Sequence, residues 1–370
     1  MRILSIFLVL IYVQLSYAND QKLKICLAGS TEKTIPNYGE AFVNGARLAI
    51  NELPSKVQEK IELEVHYYDV TALAALNELQ IMRKAGCDAI LGFSTGNDLL
   101  AIEDDLALNP ILTLSIYGDP QDRFEKTNYL RTIQPNAEML LGHLFEKIPY
   151  KMKREDRVLV ITASDRSEML EYKKAIEPLL KNRTNNVTYL NVIEQTHDIS
   201  EFLKVHKEIK NWDYVILLTR SLIAAKITDE LSESKTQKMP ILIGTKYFGS
   251  SELPAYLNFL KNKDIEAYFS RQNCSCDNSK SFLAFSIKYE KQFKKKPMLI
   301  SVDTYDSVRF LSSIVGQVEK MDSATIIDYF SKTTNQFIGA GTLVVNPRFK
   351  VVSEKKFLIR VSKNGYESMK

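Results

Sequence analysis

Between Asp88 and Asp119 two short apolar runs, Ala89 to Phe93 and Ile111 to Leu114, flank a stretch whose apolar residues Leu99, Leu100, Ile102 and Leu106 recur with helical period. Strand, helix, strand is the reading, and unbroken apolar strands joined by a helix belong to a parallel sheet buried on both faces. Pro110 stands where the helix has to have stopped. Both runs end in hydroxyls, Ser94-Thr95 and Ser115. Ligands of open α/β sheets sit just beyond the carboxyl ends of the strands, so these three residues are the first site candidates.

The same unit repeats along the chain. Leu23 to Ala28 and Ile61 to Tyr67 read as strands, each followed by a helical stretch, Glu40 to Leu53 and Ala72 to Ala85. After Gln134 the alternation restarts, with strands at Arg157 to Ala163, Val187 to Ile193, Tyr214 to Leu218 and Ile241 to Ile243. Ala267 to Ser270 looks like another extended crossing, Tyr305 to Val318 like a helix, and Thr342 to Val345 and Lys356 to Val361 like strands. Two βα series in 370 residues exceed what one core usually serves. The expected division is 1–18 as a signal peptide, 19–134 with 268–340 as one lobe, and 135–267 with 341–370 as the other.

Met1-Arg2, the apolar Ile3 to Val13 and the small residues Ser16 and Ala18 form a secretory signal cleaved after Ala18. That apolar run is too short to span the roughly 30 Å of a bilayer. The expected product is exported, with no membrane insertion after cleavage. A net charge of +4, from 49 basic and 45 acidic residues mixed along the chain, carries no nucleic-acid signal. Cys26 and Cys87 fall in or beside apolar strands, as buried thiols or, if those strands are neighbours, as one pair; Cys274 and Cys276 share a polar loop. The histidines, His66, His143, His197 and His206, lack metal-type spacing, so no metal and no cofactor is expected. His66 reads as structural.

The order of these elements, with N-Y-G-E-A-F-V-N-G-A-R-L-A-I-N-E-L (Asn37 to Leu53), Y-Y-D (Tyr67 to Asp69), A-I-L-G-F-S-T-G, Leu130-Arg131-Thr132 and T-Y-D-S-V-R (Thr304 to Arg309), resembles the type I periplasmic binding proteins. Within them it looks like the branched-chain amino-acid and amide-binding group that serves ABC importers. The resemblance implies two doubly wound parallel-sheet α/β lobes joined by three crossover segments, closing on a small solute in the cleft. It also implies a periplasmic monomer whose partner is a membrane permease. First-lobe contacts in that group come from the two strand ends above, so Ser94, Thr95, Ser115, Tyr117, Gly118 and Asp119 inherit the position. Hydroxyls and free N–H groups beside a helix N-terminus would suit a carboxylate, although Ser94 and Thr95 also suit a plain helix cap.

The second lobe departs from the group's pattern of two aromatics and an acid. Ser167, Arg220 and Lys246 stand at or near those places, with Arg166 and Tyr247 beside them. A cation where a ligand ammonium must sit is repulsive, whereas Arg suits a bidentate carboxylate. The charge argument therefore ranks dicarboxylates and acidic amino acids first, small amides second and leucine-like ligands last.

No G-x-S-x-G elbow or phosphate-cradling glycine loop occurs, and no enzyme is expected. An alternative reading is a sensing or degenerate receptor domain that docks on a signalling partner. The triplets at Asn182, Asn186 and Asn273 are compatible with that reading in a secreted ectodomain.

Overall fold

Eight residues from Leu23 to Ser30 form β1, the strand on which the first sheet is built. In the computed structural model the described residues are 21–31, 37–116, 127–133, 135–193, 212–220, 223–228, 240–249, 267–272, 277, 279–333, 337–340, 343–346, 350–353, 356–362 and 365–369. The signal segment, Cys274, Cys276 and the Asn273 triplet lie outside them, as do His197 and His206. The chain separates into two compact units, Met1–Gln134 with Asn278–Glu354 and Pro135–Asp277 with Lys355–Lys370.

In the first unit β1 is followed by helix α1 (Tyr38–Asn51), β2 (Ile61–Tyr68), α2 (Ala72–Lys84), β3 (Ala89–Gly92), α3 (Gly96–Leu108), β4 (Leu112–Ser115) and β5 (Leu130–Thr132). The sheet order is β2-β1-β3-β4-β5, parallel throughout. β3 and β4 are buried along their whole length, which is why they read as unbroken apolar runs. β2 is the edge, and its half-exposed Glu62 and Glu64 deter pairing by another chain.

The second unit holds α4 (Ala137–Lys147), β6 (Arg157–Ala163), α5 (Ser167–Lys181), β7 (Asn186–Val192), β8 (Tyr214–Leu218), β9 (Ile241–Gly244) and β10 (Ala267–Arg271). After α6 (Lys280–Phe293), α7 (Leu299–Ser312), α8 (Ser323–Lys332) and the small antiparallel sheet β11 (Phe337–Ile338), β12 (Leu343–Asn346) and β13 (Lys350–Ser353), all in the first unit, come β14 (Phe357–Ser362) and β15 (Gly365–Met369). The order of the second sheet is β15-β14-β10-β9-β8-β6-β7, with β14 and β15 antiparallel.

Two boundaries differ from the sequence reading. Ala267 to Ser270 is not a crossing but part of β10, in register with β9 and β14, so the second unit runs on to Asp277. β12 and β13 stay with the first unit, since β12 pairs with both β11 and β13, and the Phe337 ring of β11 meets Phe310 of α7. The helix expected at Tyr305 to Val318 begins instead at Leu299. Its first turn, Leu299-Ile300-Ser301-Val302, is rich in β-branched residues, and burial against α1 overrides that local preference.

That contact depends on Gly45, because a Cβ there would overlap the Ser301 carbonyl of α7. Gly45→Ala is expected to lower stability by about 1–3 kcal/mol, read from the urea midpoint. A second expectation concerns Asp88, which accepts the Lys24 N–H at 2.8 Å. Burial, opposed by that hydrogen bond, pushes its carboxyl up to about 6. A carboxyl with a raised folded value binds its proton more tightly when folded, so its contribution to stability is present at acid pH and is lost as pH rises through 6. Wild type should therefore gain stability from pH 7 to pH 5 relative to Asp88→Asn; parallel urea midpoints in the two proteins would contradict this.

Candidate functional site

In the first unit the β3–α3 turn is strained and then held. Gly92 has φ 147° and Phe93, fully buried, has φ 56°, a left-handed conformation that a bulky residue adopts at a cost of about 1–3 kcal/mol. Ser115 at the end of β4 donates its hydroxyl to the Phe93 carbonyl at 2.7 Å. The Tyr68 ring lies 5.5 Å from the Phe93 ring. The Tyr68 hydroxyl accepts the Ser94 N–H at 3.0 Å and donates to Asp98 Oδ2 at 2.8 Å. Thr95 and Asp98 close a capping box, with Asp98 N–H donating to Thr95 Oγ1 (3.1 Å) and Thr95 N–H donating to Asp98 Oδ2 (3.0 Å). Burial first, and the Asp98 charge second, drive the Tyr68 phenol well above its ordinary range.

This arrangement changes the expected anion niche. The N–H groups of Ser94 and Thr95 are taken by Tyr68 and Asp98, the Thr95 hydroxyl is the helix cap, and Ser115 is 0% exposed with its hydroxyl spent on Phe93. Asp98 thus supplies the protein's own anion at the α3 N-terminus. The first N–H groups of α3, on Gly96 and Asn97, meet no acceptor among the described residues, while the half-buried Ser94 hydroxyl lies within hydrogen-bonding reach of the Tyr68 phenol. Tyr117, Gly118 and Asp119 lie outside the described residues.

In the second unit Ser167 opens α5, with its hydroxyl 3.5 Å from Glu168 Oε2. Arg220, just past β8, places Nη2 2.8 Å from Glu168 Oε1, and that carboxylate is only 1% exposed. β6 and β8 are neighbours in the sheet, so the α5 start and the β8 end meet there. Arg220 is therefore not a cation awaiting a ligand acid, and Glu168, which no motif singled out, is its counter-charge. Lys246 opens a 3-10 turn after β9. It is 4% exposed, its ammonium 5.1 Å from the Tyr247 ring centroid, a cation–π contact.

Hydroxyls also end the strands of this unit. Thr162 in β6 and Thr219 after β8 are fully buried, and their hydroxyls have no hydrogen-bond partner among the described residues. Thr245 after β9 accepts the Tyr247 N–H at 3.2 Å. The strand-end rule that selected Ser94 and Ser115 would have found these threonines. Of the two described histidines, His66 lies in β2 against Glu78, and His143 in α4 lies 3.0 Å from the Ser270 hydroxyl near the end of β10. Hydroxyl, amide and cation groups of this kind can hold a small polar solute.

No family model matches the chain, and no curated protein sequence matches it. Solved structures do. The branched-chain amino-acid transporter substrate-binding protein of Streptococcus pneumoniae, in complex with isoleucine, matches with a TM-score of 0.76 at 16% identity over 94% of this chain and 99% of its own. A leucine-binding protein of Thermotoga maritima gives 0.76 at 15% over 94% and 98%. A solute-binding protein of an ABC transporter from Rhodopseudomonas palustris, in complex with 3,4-dihydroxybenzoic acid, gives 0.73 at 14% over 94% and 96%. The α/β fold is that of these solute-binding proteins, matched along nearly the full length of each. Among the described residues no helix is long and apolar enough to cross a membrane.

Tyr68→Phe tests the bracing of the first site. It removes the partner of the Ser94 N–H and one partner of Asp98, and is expected to lower stability by about 1–3 kcal/mol in urea unfolding. An unchanged midpoint would show that the phenol does not hold the turn.

Proposed function

We propose that this chain is an exported receptor that captures a small carboxylate-bearing or amino-acid-like solute and delivers it to the permease of an ABC importer. The observation that carries the reading is the chain-long match to solute receptors, at 94% of this chain and 99% of a protein solved with isoleucine. A disulfide between Cys26 and Cys87 agrees with an oxidising compartment. The first-unit groups proposed to touch the solute are the Ser94 hydroxyl and the first N–H groups of α3, with Tyr117, Gly118 and Asp119 retained from the resemblance.

Solute charge is less one-sided than the cations suggested. Glu168 answers Arg220 and Asp98 occupies part of the first helix terminus, so a monocarboxylate or a zwitterion fits as well as a dicarboxylate. Calorimetry against leucine, glutamate, succinate and benzoate tests this, with single-site binding of at least one expected. Ser94→Ala should weaken that binding roughly tenfold, the size of one hydrogen bond to a charged group. Absence of heat with every carboxylate would overturn the receptor reading, and unchanged affinity would remove Ser94 from the site.

A further inference from the structure

Three separate segments bring Cys26, His66 and Cys87 together under α2. β1 carries Cys26, the edge strand β2 carries His66, and Cys87 lies just ahead of β3. In the parallel register Cys26 stands opposite Glu64 and Ala28 opposite His66, so Cys26, Glu64 and His66 project from one face of the sheet. The two Sγ atoms and an imidazole nitrogen all lie within 4.8 Å of one another. The sulfurs are joined here as a disulfide, with Cα atoms 5.8 Å apart.

The imidazole is the informative member. Its side chain is 10% exposed, and Nδ1 lies 2.8 Å from Glu78 Oε1. Nδ1–H can donate to that carboxylate, the tautomer that offers the Nε2 lone pair to an ion. Nε2 is buried, 2.9 Å from Glu64 Oε1. An imidazole anchored through one nitrogen on a carboxylate, in a cluster with two sulfurs, is how metal-binding histidines are held.

We propose that reduction of the Cys26–Cys87 bond turns this cluster into a zinc site, with the two thiolates and His66 Nε2 as ligands, Glu64 in reach as the fourth and Glu78 orienting the ring. Two thiolates, an imidazole and a carboxylate form a four-coordinate donor set suited to zinc. A dithiol reductant supplies two electrons and two protons to the S–S bond and leaves as its own disulfide. Zinc then displaces the two thiol protons to solvent, while the neutral Nε2 binds without losing a proton. β2 is the sheet edge and Glu64 is 35% exposed, which opens a path for the ion. Disulfide and zinc exclude each other, so the cluster would report the redox state of its surroundings.

The test uses the full chain carrying Cys274→Ser and Cys276→Ser, so that no other thiol binds metal. It is either left oxidised or reduced with a phosphine under anaerobic conditions. Equilibrium dialysis should find about one zinc per reduced chain and none per oxidised chain, and zinc should raise the melting temperature of the reduced chain alone. Cobalt(II) in place of zinc should give thiolate charge-transfer absorption and the strong visible bands of four-coordinate cobalt. His66→Gln, whose disulfide-bonded form serves as the folding control, should weaken binding at least tenfold. A folded reduced chain that takes up no zinc, or equal affinity in His66→Gln, overturns the proposal. So does a reduced chain that unfolds and is not restored by zinc.

Discussion

A single phenol organises the first unit's strand ends. Tyr68 sits at the end of an edge strand, yet it is 3% exposed, and its hydroxyl joins the backbone after β3 to the carboxylate inside α3. Buried polar groups are tolerated only when partnered, and Tyr68, Asp98, Ser94 and Thr95 partner one another. Ser115 completes the set by fixing the Phe93 carbonyl, so a left-handed phenylalanine persists where an isolated turn would relax. What a solute can reach in this unit is decided by what this network leaves over.

The second unit follows the same logic with charge. Glu168 in the first turn of α5 is favoured there by the helix dipole, but its near-complete burial requires a cation, which Arg220 supplies from the neighbouring strand end. The pair locks the α5 start to the β8 end. Lys246 is treated differently: an almost fully buried ammonium lies against the Tyr247 ring. Cations that look alike in sequence therefore have different surroundings, one paired with a buried carboxylate and one packed against an aromatic ring.

Burial also accounts for the line of charge under α2. Lys24 reaches Glu62 at 3.2 Å and contacts Glu64, and the carboxylates raise its ammonium while Lys24 lowers Glu64. His66 continues the line to Glu78. On a two-sided buried strand such a row would be prohibitive. On the edge strand it is affordable, since water reaches one side and charges discourage a further strand from pairing.

Patterning alone reached far in this chain. Apolar runs such as Ala89 to Phe93 are legible because a strand buried on both faces has no room for alternation, and the strand-end rule led to Ser94 and Ser115 because parallel sheets gather their carboxyl ends. The helix at Leu299 was missed in its first turn because packing on Gly45, not local propensity, makes those residues helical. That Ser115 turns to Phe93, that Glu168 answers Arg220, and that His66 joins the Cys26–Cys87 pair were invisible for one reason. Each joins side chains from strands or helices far apart in the chain, and strand order with register, which set those distances, exist only once the sheets have formed. Local periodicity determined the elements and their ends, and only tertiary structure decided which polar groups consume one another, because burial makes every unpaired one costly.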